Sequence, residues 1–249
     1  VINELLKTTS NQSIFIERKI DKQLLSLNQR GFFNGHTPFS ALLAFLSIAA
    51  AALFDCCYIP ISQERSSNQG NLKYLGKIIN HQYSKSFEFE NQMRVYCKKY
   101  LAENIEYFSF LRPLYELQIA KIFAQYPKYF PYFVSCNNSF TLAGRKTNSN
   151  KWCCACPKCL FTFAALYPFI GKENVIKIFG QNLFENNKLL PFLRELLGEG
   201  TYKPFECVGT YSEVRAAFYL ASQKTNAHKP YLLKYFEKNI LPKYPNISK

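Results

Sequence analysis

Residues 151–159 read KWCCACPKC, and no other stretch limits the folding of this chain so tightly. Cys153, Cys156 and Cys159 follow a C-x-x-C-x-x-C spacing, which lets three sulfurs converge on one ion from a tight turn. A tetrahedral thiolate site takes a fourth ligand, and Cys136 in VSCNN or the adjacent Cys154 can supply it. Four sulfurs leave no open coordination position, so a zinc held this way is structural and not catalytic. Thiolates alone also suit an iron–sulfur cluster. The bland alternative is a set of small buried thiols, and the spacing argues against it.

Nine cysteines in 249 residues could staple a secreted domain, but their clustering favours metal ligation. No basic n-region followed by an apolar h-region opens the chain, so a reducing, cytoplasmic setting is expected. The longest apolar run, Ala41 to Phe54, is too short for the roughly 18–20 residues that span a bilayer and reads as a buried helix. With 48% hydrophobic and 16% aromatic residues, the chain has ample material for a core. A formal net charge of +14 points to a polyanionic partner such as a nucleotide, a phosphorylated substrate or nucleic acid. The basic residues are scattered and form no block, which counts against nucleic acid. A solvated lysine-rich surface is the plain alternative.

SIFIE (13–17), CYIPIS (57–62) and IEYFSF (105–110) read as strands. Helical spacing follows the first in KIDKQLLSLNQRG, stopped by Gly31, and recurs over residues 89–103. NGHTPFSALLAFLSIAAAALF carries a helix start, with Thr37 as cap and Pro38 in the first turn. RPLYELQIAKIFAQYP reads as a helix opened by Pro113, and QERSSNQGN (63–71) as a polar loop outside any core. Beyond Pro157 the periodicity is helical, broken at glycines including Gly171, Gly180 and Gly198. Strands alternating with helices predict a doubly wound, mostly parallel α/β sheet, with a helical C-terminal extension. The boundary falls at 160, giving an α/β domain over 1–160 and a helical region over 161–249. VINELLK reads as the tail of a helix already under way, which implies an upstream segment.

An alanine-rich helix, a strand ending in a polar loop, RPLYELQIAKIF, a Ser-Cys pair and a C-x-x-C-x-x-C occur in the order that resembles the 7-cyano-7-deazaguanine synthase branch of the PP-loop ATP pyrophosphatases. In that branch the cysteines hold a structural zinc. The PP-loop, S-G-G-x-D-S, cradles pyrophosphate after the first strand, and this chain has no such motif. NGHTPFSALLAF, SQERSSNQGN, NHQYSKSFEFE, SFLRPLYELQIAKIF, WCCACPKC and KPFECVGT are more specific, and in that order resemble the UDP-N-acetyl-α-D-muramoyl-L-alanyl-L-glutamate epimerase family. The likeness runs from about Arg18 to about Tyr211. One departure is Cys154, where the family usually has Gly; this makes Cys154 the weakest ligand candidate and leaves the set Cys136, Cys153, Cys156 and Cys159.

The resemblance implies inversion of the terminal L-glutamate of a UDP-linked muramoyl dipeptide to D-glutamate, in cytoplasmic peptidoglycan precursor synthesis. ATP with Mg²⁺ or Mn²⁺ is converted to AMP and pyrophosphate. The chemistry is sound: a Cα–H beside a free carboxylate is a very weak acid, and adenylation removes that charge so that an enolate can delocalise. Glu64, His81 and Lys85 are the expected catalytic or metal- and phosphate-handling groups. Arg65, Ser66 and Asn68 join Glu64 in a loop expected beyond the carboxyl end of a strand. Tyr83, Ser84 and Glu88 share the block of His81. Asn34, Gly35, His36 and Thr37 lie at a helix N-terminus, a ready anion site. Arg112 reads as a phosphate contact or as a tie for a helix start. Lys203, Glu206 and Cys207 form a candidate closing segment, in which an inert Cys207 is favoured over a thiol base. Two rivals remain: a PP-loop enzyme that modifies a nucleobase, and a zinc-stabilised basic RNA-binding module. Salt-dependent RNA binding against saturable ATP binding separates them.

Overall fold

The computed structural model describes residues 2–9, 11–32, 38–138, 151–225 and 228–247. Asn34, Gly35, His36 and Thr37, and with them the expected cap and anion site, lie outside the described residues. Helices α1 (Ile2–Thr9) and α2 (Lys22–Gln29) come first, the second capped by Asp21, whose carboxylate accepts from the Gln23 amide. SIFIE between them is not a strand: Ile14, Phe15 and Ile16 are exposed, and no partner strand lies beside them among the described residues. Alternation alone cannot form a ladder without a second backbone to pair with.

Helix α3 (Phe39–Leu53) buries only Ala44, Ile48 and Ala51, one stripe at helical spacing. The apolar run is therefore helical but not enclosed, with Leu43, Phe45 and Leu53 left on the surface. Strand β1 (Tyr58–Ile61) pairs in parallel with β4 (Glu106–Ser109), Tyr58 opposite Glu106 and Ile61 opposite Ser109. Parallel neighbours cannot be joined by a tight turn. The crossover carries a short antiparallel hairpin, β2 (Leu72–Tyr74) and β3 (Lys77–Ile79), and then α4 (Phe87–Tyr100). Ser86 caps α4 by accepting from the Phe89 amide at 3.1 Å, and Glu88 and Glu90 fill the acidic first turn. Met93 and Cys97 of α4, the α3 stripe, Ile105 and Tyr107 form one small core.

The expected helix after β4 is shorter than its sequence pattern. α5 runs Glu116–Phe123 with Tyr115 at its cap, and Pro113 belongs to the preceding turn. From Pro157 onward the chain is helical, as the periodicity predicts: α6 (Pro157–Phe179), α7 (Leu190–Leu197), α8 (Tyr211–Gln223) and α9 (Tyr231–Asn239). Gly171 (φ 81, ψ 164) kinks α6, and Gly180 ends it in the left-handed region that suits glycine. Phe163, Phe184, Phe218 and Phe236 anchor a second, larger core with which Cys136 and Trp152 also pack. The architecture is thus a mostly helical α/β fold. In place of the expected doubly wound sheet, the described residues hold two separate two-stranded sheets, one parallel pair and one antiparallel hairpin. No helix of the described residues is long and apolar enough to cross a membrane.

Candidate active site and metal centre

The four sulfurs of Cys136, Cys153, Cys156 and Cys159 lie within 4.8 Å of one another. Zinc–thiolate bonds of about 2.3 Å put tetrahedral sulfurs about 3.8 Å apart, so the set fits that ion with small adjustment. Cys153 Sγ and Cys159 Sγ are 3.6 Å apart. Cys156 caps α6, its sulfur accepting from the Cys159 amide at 3.4 Å, and the Cys153 amide donates to Cys136 Sγ at 3.4 Å. Hydrogen bonding from Cys159, with burial opposing, pulls Cys156 down to about 5, the thiolate form a metal takes. Burial pushes Cys153 up to about 12. Cys154 is not a ligand. Its sulfur sits 3.2 Å from Phe179 O, and its backbone is left-handed at φ 55. A glycine would hold that φ without strain.

The carboxyl ends of β1 and β4 meet at a cavity of about 410 Å³. Glu64 follows β1, Glu116 opens α5 after β4, Lys158 lies in the first turn of α6, and Lys85 and Cys207 complete the charged lining. A second cavity, of about 720 Å³, adjoins it through Ser62, Glu64 and Lys85 and reaches α3, Ile14, Ile16 and Arg18. Open α/β sheets bind ligands at this end of their strands.

Arg112 is the staple of the site. Its Nε and Nη2 donate to Glu90 Oε2 at 3.0 and 2.7 Å, its Nη1 to Glu64 O at 2.9 Å and Ser67 Oγ at 3.0 Å, and its Nη2 also to Lys85 O at 2.9 Å. All five guanidinium donors are thereby used within the protein. Glu90 in turn accepts from the Ser109 amide at 2.9 Å, locking the end of β4. Of the two expected roles, the tie is the one these bonds describe.

The loop 63–71 is not a surface loop. Ser66 and Ser67 are buried in a 3₁₀ turn, and Asn71 is buried after it. Ser66 Oγ donates to Glu213 Oε2 at 2.7 Å. Glu213 completes a capping box with Thr210 at the start of α8, and its other oxygen accepts from the Leu117 amide of α5 at 3.2 Å. Asn68 Oδ1 accepts from the Phe87 amide at 2.7 Å, so Asn68 fixes the start of α4. Asn71 joins three segments. Its Nδ2 donates to Pro204 O at 2.9 Å, and its Oδ1 lies 3.0 Å from the His81 amide and 2.8 Å from His81 Nδ1. An amide oxygen only accepts, so His81 carries its proton on Nδ1 and presents a bare Nε2. Burial, then Lys203 and Lys85, lower the His81 pKa, which favours that neutral ring.

Lys85 Nζ donates to Cys207 Sγ at 3.1 Å. Burial works against the Lys85 charge, but Cys207, Glu64 and Glu116 outweigh it and hold its pKa above the ordinary value. Lys203 is 1% exposed and its Nζ has no hydrogen-bond partner among the described residues. Burial lowers its pKa, opposed by Glu116, Glu213, Glu64 and Cys207. Burial, then Glu64 and Glu213, push the Glu116 carboxyl well above the usual carboxylate range. Glu206 accepts from Asn137 Nδ2 at 2.5 Å and is raised by burial and by Cys156.

Of the expected site residues, the structure therefore gathers Glu64, Lys85 and Cys207 in one cavity, links His81 to the Lys203 segment through Asn71, and uses Ser66, Asn68 and Arg112 as ties. Arg65 is exposed and lies over the Tyr115 ring, 5.1 Å from its centroid. Tyr83 and Glu88 are exposed, Tyr83 donating to Gln92 at 3.1 Å, and Ser84 is half-buried. Glu116, Glu213, Asn71 and Glu90 escaped the sequence reading, although each lies in or next to a stretch it singled out. Their neighbours are set by packing and leave no local mark.

A cysteine-clamped α/β protein with a cavity of lysines, carboxylates and a thiol at its parallel strand ends is the class that fold and site define. The chain belongs to the MurL family: residues 1–110 match the MurL N-terminal domain and residues 132–246 the MurL C-terminal domain. It is 41% identical over 207 residues to the UDP-N-acetyl-α-D-muramoyl-L-alanyl-L-glutamate epimerase of a Micromonospora strain, covering 83% of this chain and 46% of the relative. The epimerases of that name from Salinispora tropica and Xanthomonas oryzae pv. oryzae are 40% identical over 208 residues and 35% over 227. Those two alignments take in 84% and 91% of this chain, and 45% and 50% of the relatives. The chain thus spans about half the length of the curated relatives it matches. No solved structure matches it.

Proposed function

We propose that this chain takes part in the epimerisation of the terminal L-glutamate of UDP-N-acetylmuramoyl-L-alanyl-L-glutamate to D-glutamate, in cytoplasmic synthesis of peptidoglycan precursors. The observation that carries the reading is the meeting of Glu64, Lys85, Glu116 and Cys207 in one cavity at the carboxyl ends of β1 and β4, in a chain whose relatives bear that activity in their names. The cavity offers what inversion at carbon needs, groups that accept and deliver protons beside cations that suit a polyanionic substrate. The finer reading is an ATP-dependent route in which the glutamate carboxyl is adenylated, with AMP and pyrophosphate released, on a fold of PP-loop pyrophosphatase type. Neutralising that carboxylate is what ATP contributes. Lys85 and Lys158 are the cavity's cations for phosphate oxygens, and Glu64 and Glu116 are the oxygen donors a Mg²⁺ would take alongside substrate phosphates.

Within this proposal an α/β part over 1–160 carries the strand ends, and a helical part over 161–249 supplies Lys203, Cys207 and Glu213. The four-cysteine centre, closed by its own thiolates, holds a structural zinc that fixes the start of α6. The test incubates the complete gene product containing this chain with the nucleotide-linked L-alanyl-L-glutamate, ATP and Mg²⁺ in D₂O. AMP release together with deuterium at the glutamate Cα is expected. AMP without deuterium discards epimerisation; neither signal, in a folded and metal-loaded protein, discards the reading.

A further inference from the structure

The two adjoining cavities differ in character. The smaller is lined by Glu64, Lys85, Glu116, Lys158 and Cys207. The larger, of about 720 Å³, is mostly apolar: α3 contributes Leu42, Leu46 and Ala50, and β1 contributes Ile59 and Ile61. Its charged side chains are Arg18 and the two it shares with the smaller cavity, Glu64 and Lys85. An apolar lining with a few polar groups is what a flat ring with a polar edge requires. Gln63, directly after Ser62 at the end of β1, lines this larger cavity. Its Oε1 is buried and has no hydrogen-bond partner among the described residues. A buried acceptor left without a donor is costly, so it marks a place for a ligand N–H. The terminal torsion of glutamine is soft, so the amide can turn its oxygen toward a ligand in the cavity it lines. Such an amide reads adenine with two bonds, the oxygen accepting from the 6-amino group and the nitrogen donating to N7.

We propose that the larger cavity holds the adenosine of ATP, with Gln63 reading the edge of the adenine, and that the α-phosphate meets the glutamyl carboxylate where the two cavities join at Glu64 and Lys85. The inference rests on the ATP-dependent reading of the function. Adenylation needs the carboxylate oxygen and the α-phosphorus in contact, so the two reactants must occupy spaces that open onto each other. A bond forms from that oxygen to the α-phosphorus, the bond to the β-phosphate oxygen breaks, and pyrophosphate leaves with the electron pair. Uracil also carries an N–H that an amide oxygen accepts, but distance decides between the bases. In ATP one ribose separates the base from the reacting phosphorus. In the nucleotide-linked dipeptide a ribose, two phosphates, a sugar and an alanyl residue separate the base from the reacting carboxylate. The cavity next to the junction therefore suits adenosine, and Gln63 is the residue that selects it.

The experiment measures binding to the complete gene product by calorimetry, with Mg²⁺ present. The ligands are ATP, purine riboside triphosphate, which lacks the 6-amino group, and inosine triphosphate, which has an oxygen there. The parent is expected to bind ATP about tenfold more tightly than either analogue. Gln63→Leu is expected to lose about that factor for ATP and to treat the three alike. Ala50→Phe, which fills the larger cavity from α3, is expected to weaken all three together. Affinity for the nucleotide-linked L-alanyl-L-glutamate should stay at the parent value in both variants. A parent that binds ATP and its analogues equally overturns the assignment without any variant, and so does a Gln63→Leu protein that keeps the preference; the epimerase reading survives either result. Weakened binding of the nucleotide-linked dipeptide, with ATP unaffected, gives the cavity to the uridine end and also overturns the proposal. A folded parent that binds none of the triphosphates removes the ATP-dependent reading and the proposal with it.

Discussion

Replacing Arg112 by Leu tests whether this residue holds the site together or binds a ligand. The Arg112 and Glu90 side chains are 13% and 4% exposed, so their pair is shielded from water and salt. Deleting one partner of such a pair costs about 3–5 kcal/mol, because the remaining charge stays buried. Glu64 O, Lys85 O and Ser67 Oγ also lose a donor, at about 1–3 kcal/mol each where water cannot replace it. These losses overlap, and a total of about 4 kcal/mol is expected. In a chain of this size that corresponds to a fall in Tm of roughly 10 °C. Arg112→Lys keeps the charge but only three donors in the wrong geometry and is expected to recover less than half of the loss. Adding Glu90→Leu to Arg112→Leu removes the stranded carboxylate, so the double variant should be more stable than the sum of the singles by about 2 kcal/mol. Urea and thermal unfolding of the parent, the three single variants and the double variant measure this. A loss under about 1 kcal/mol for Arg112→Leu, with nucleotide affinity reduced instead, refutes the reasoning and returns Arg112 to the ligand.

The metal centre predicts opposite fates for neighbouring cysteines. Cys153→Ser should lose bound zinc and unfold the start of α6, whereas Cys154→Gly should keep its zinc and stay within about 1 kcal/mol of the parent, since relief at φ 55 offsets lost packing; metal content and Tm check both. Glu116 has a folded pKa above its ordinary 4.5, so the folded state holds the extra proton and stability falls as pH rises from 4.5 through the folded value. Glu116→Gln should flatten that fall and raise Tm near neutral pH, as thermal melts across pH would record. A Cβ at Gly209 would stand 2.6 Å from Phe161 Cζ and 3.2 Å from Glu213 Cβ. Gly209→Ala should therefore cost about 1–3 kcal/mol by denaturation and loosen the Glu213 junction.

What was legible in the sequence was whatever a short window contains. The cysteine spacing, the α3 and α4 patterns, the strands at 58–61 and 106–109 and the helical stretch after Pro157 all carry local signals. SIFIE failed for lack of a neighbour and not for lack of pattern. QERSSNQGN failed for the converse reason. Its polar residues look solvated, yet Ser66 is buried because Glu213, 147 positions away, accepts its hydroxyl. Glu116 and Lys203 likewise acquire their chemistry from residues distant in sequence, and neither is distinguishable from a surface charge until the fold brings them together. The blocks that resemble a known family enclosed nearly all of these positions. They could not rank the residues inside them, so Arg112, which ties the site together, and Cys207, which lines the cavity, carried the same weight as Arg65, which stacks on a tyrosine.

The two hydrophobic cores are separate clusters, one around α3, α4 and β4 and the other around α6 and α8. Across the boundary between them run hydrogen bonds such as Ser66 to Glu213, Asn71 to Pro204 and Lys85 to Cys207. Parting two apolar faces would expose oil to water, but parting this seam exchanges each internal bond for one to solvent, at a net cost of about 0.5–1.5 kcal/mol apiece. Along the line where the charged groups lie, the two cores are therefore joined in part by bonds that water can replace, and not by apolar burial alone.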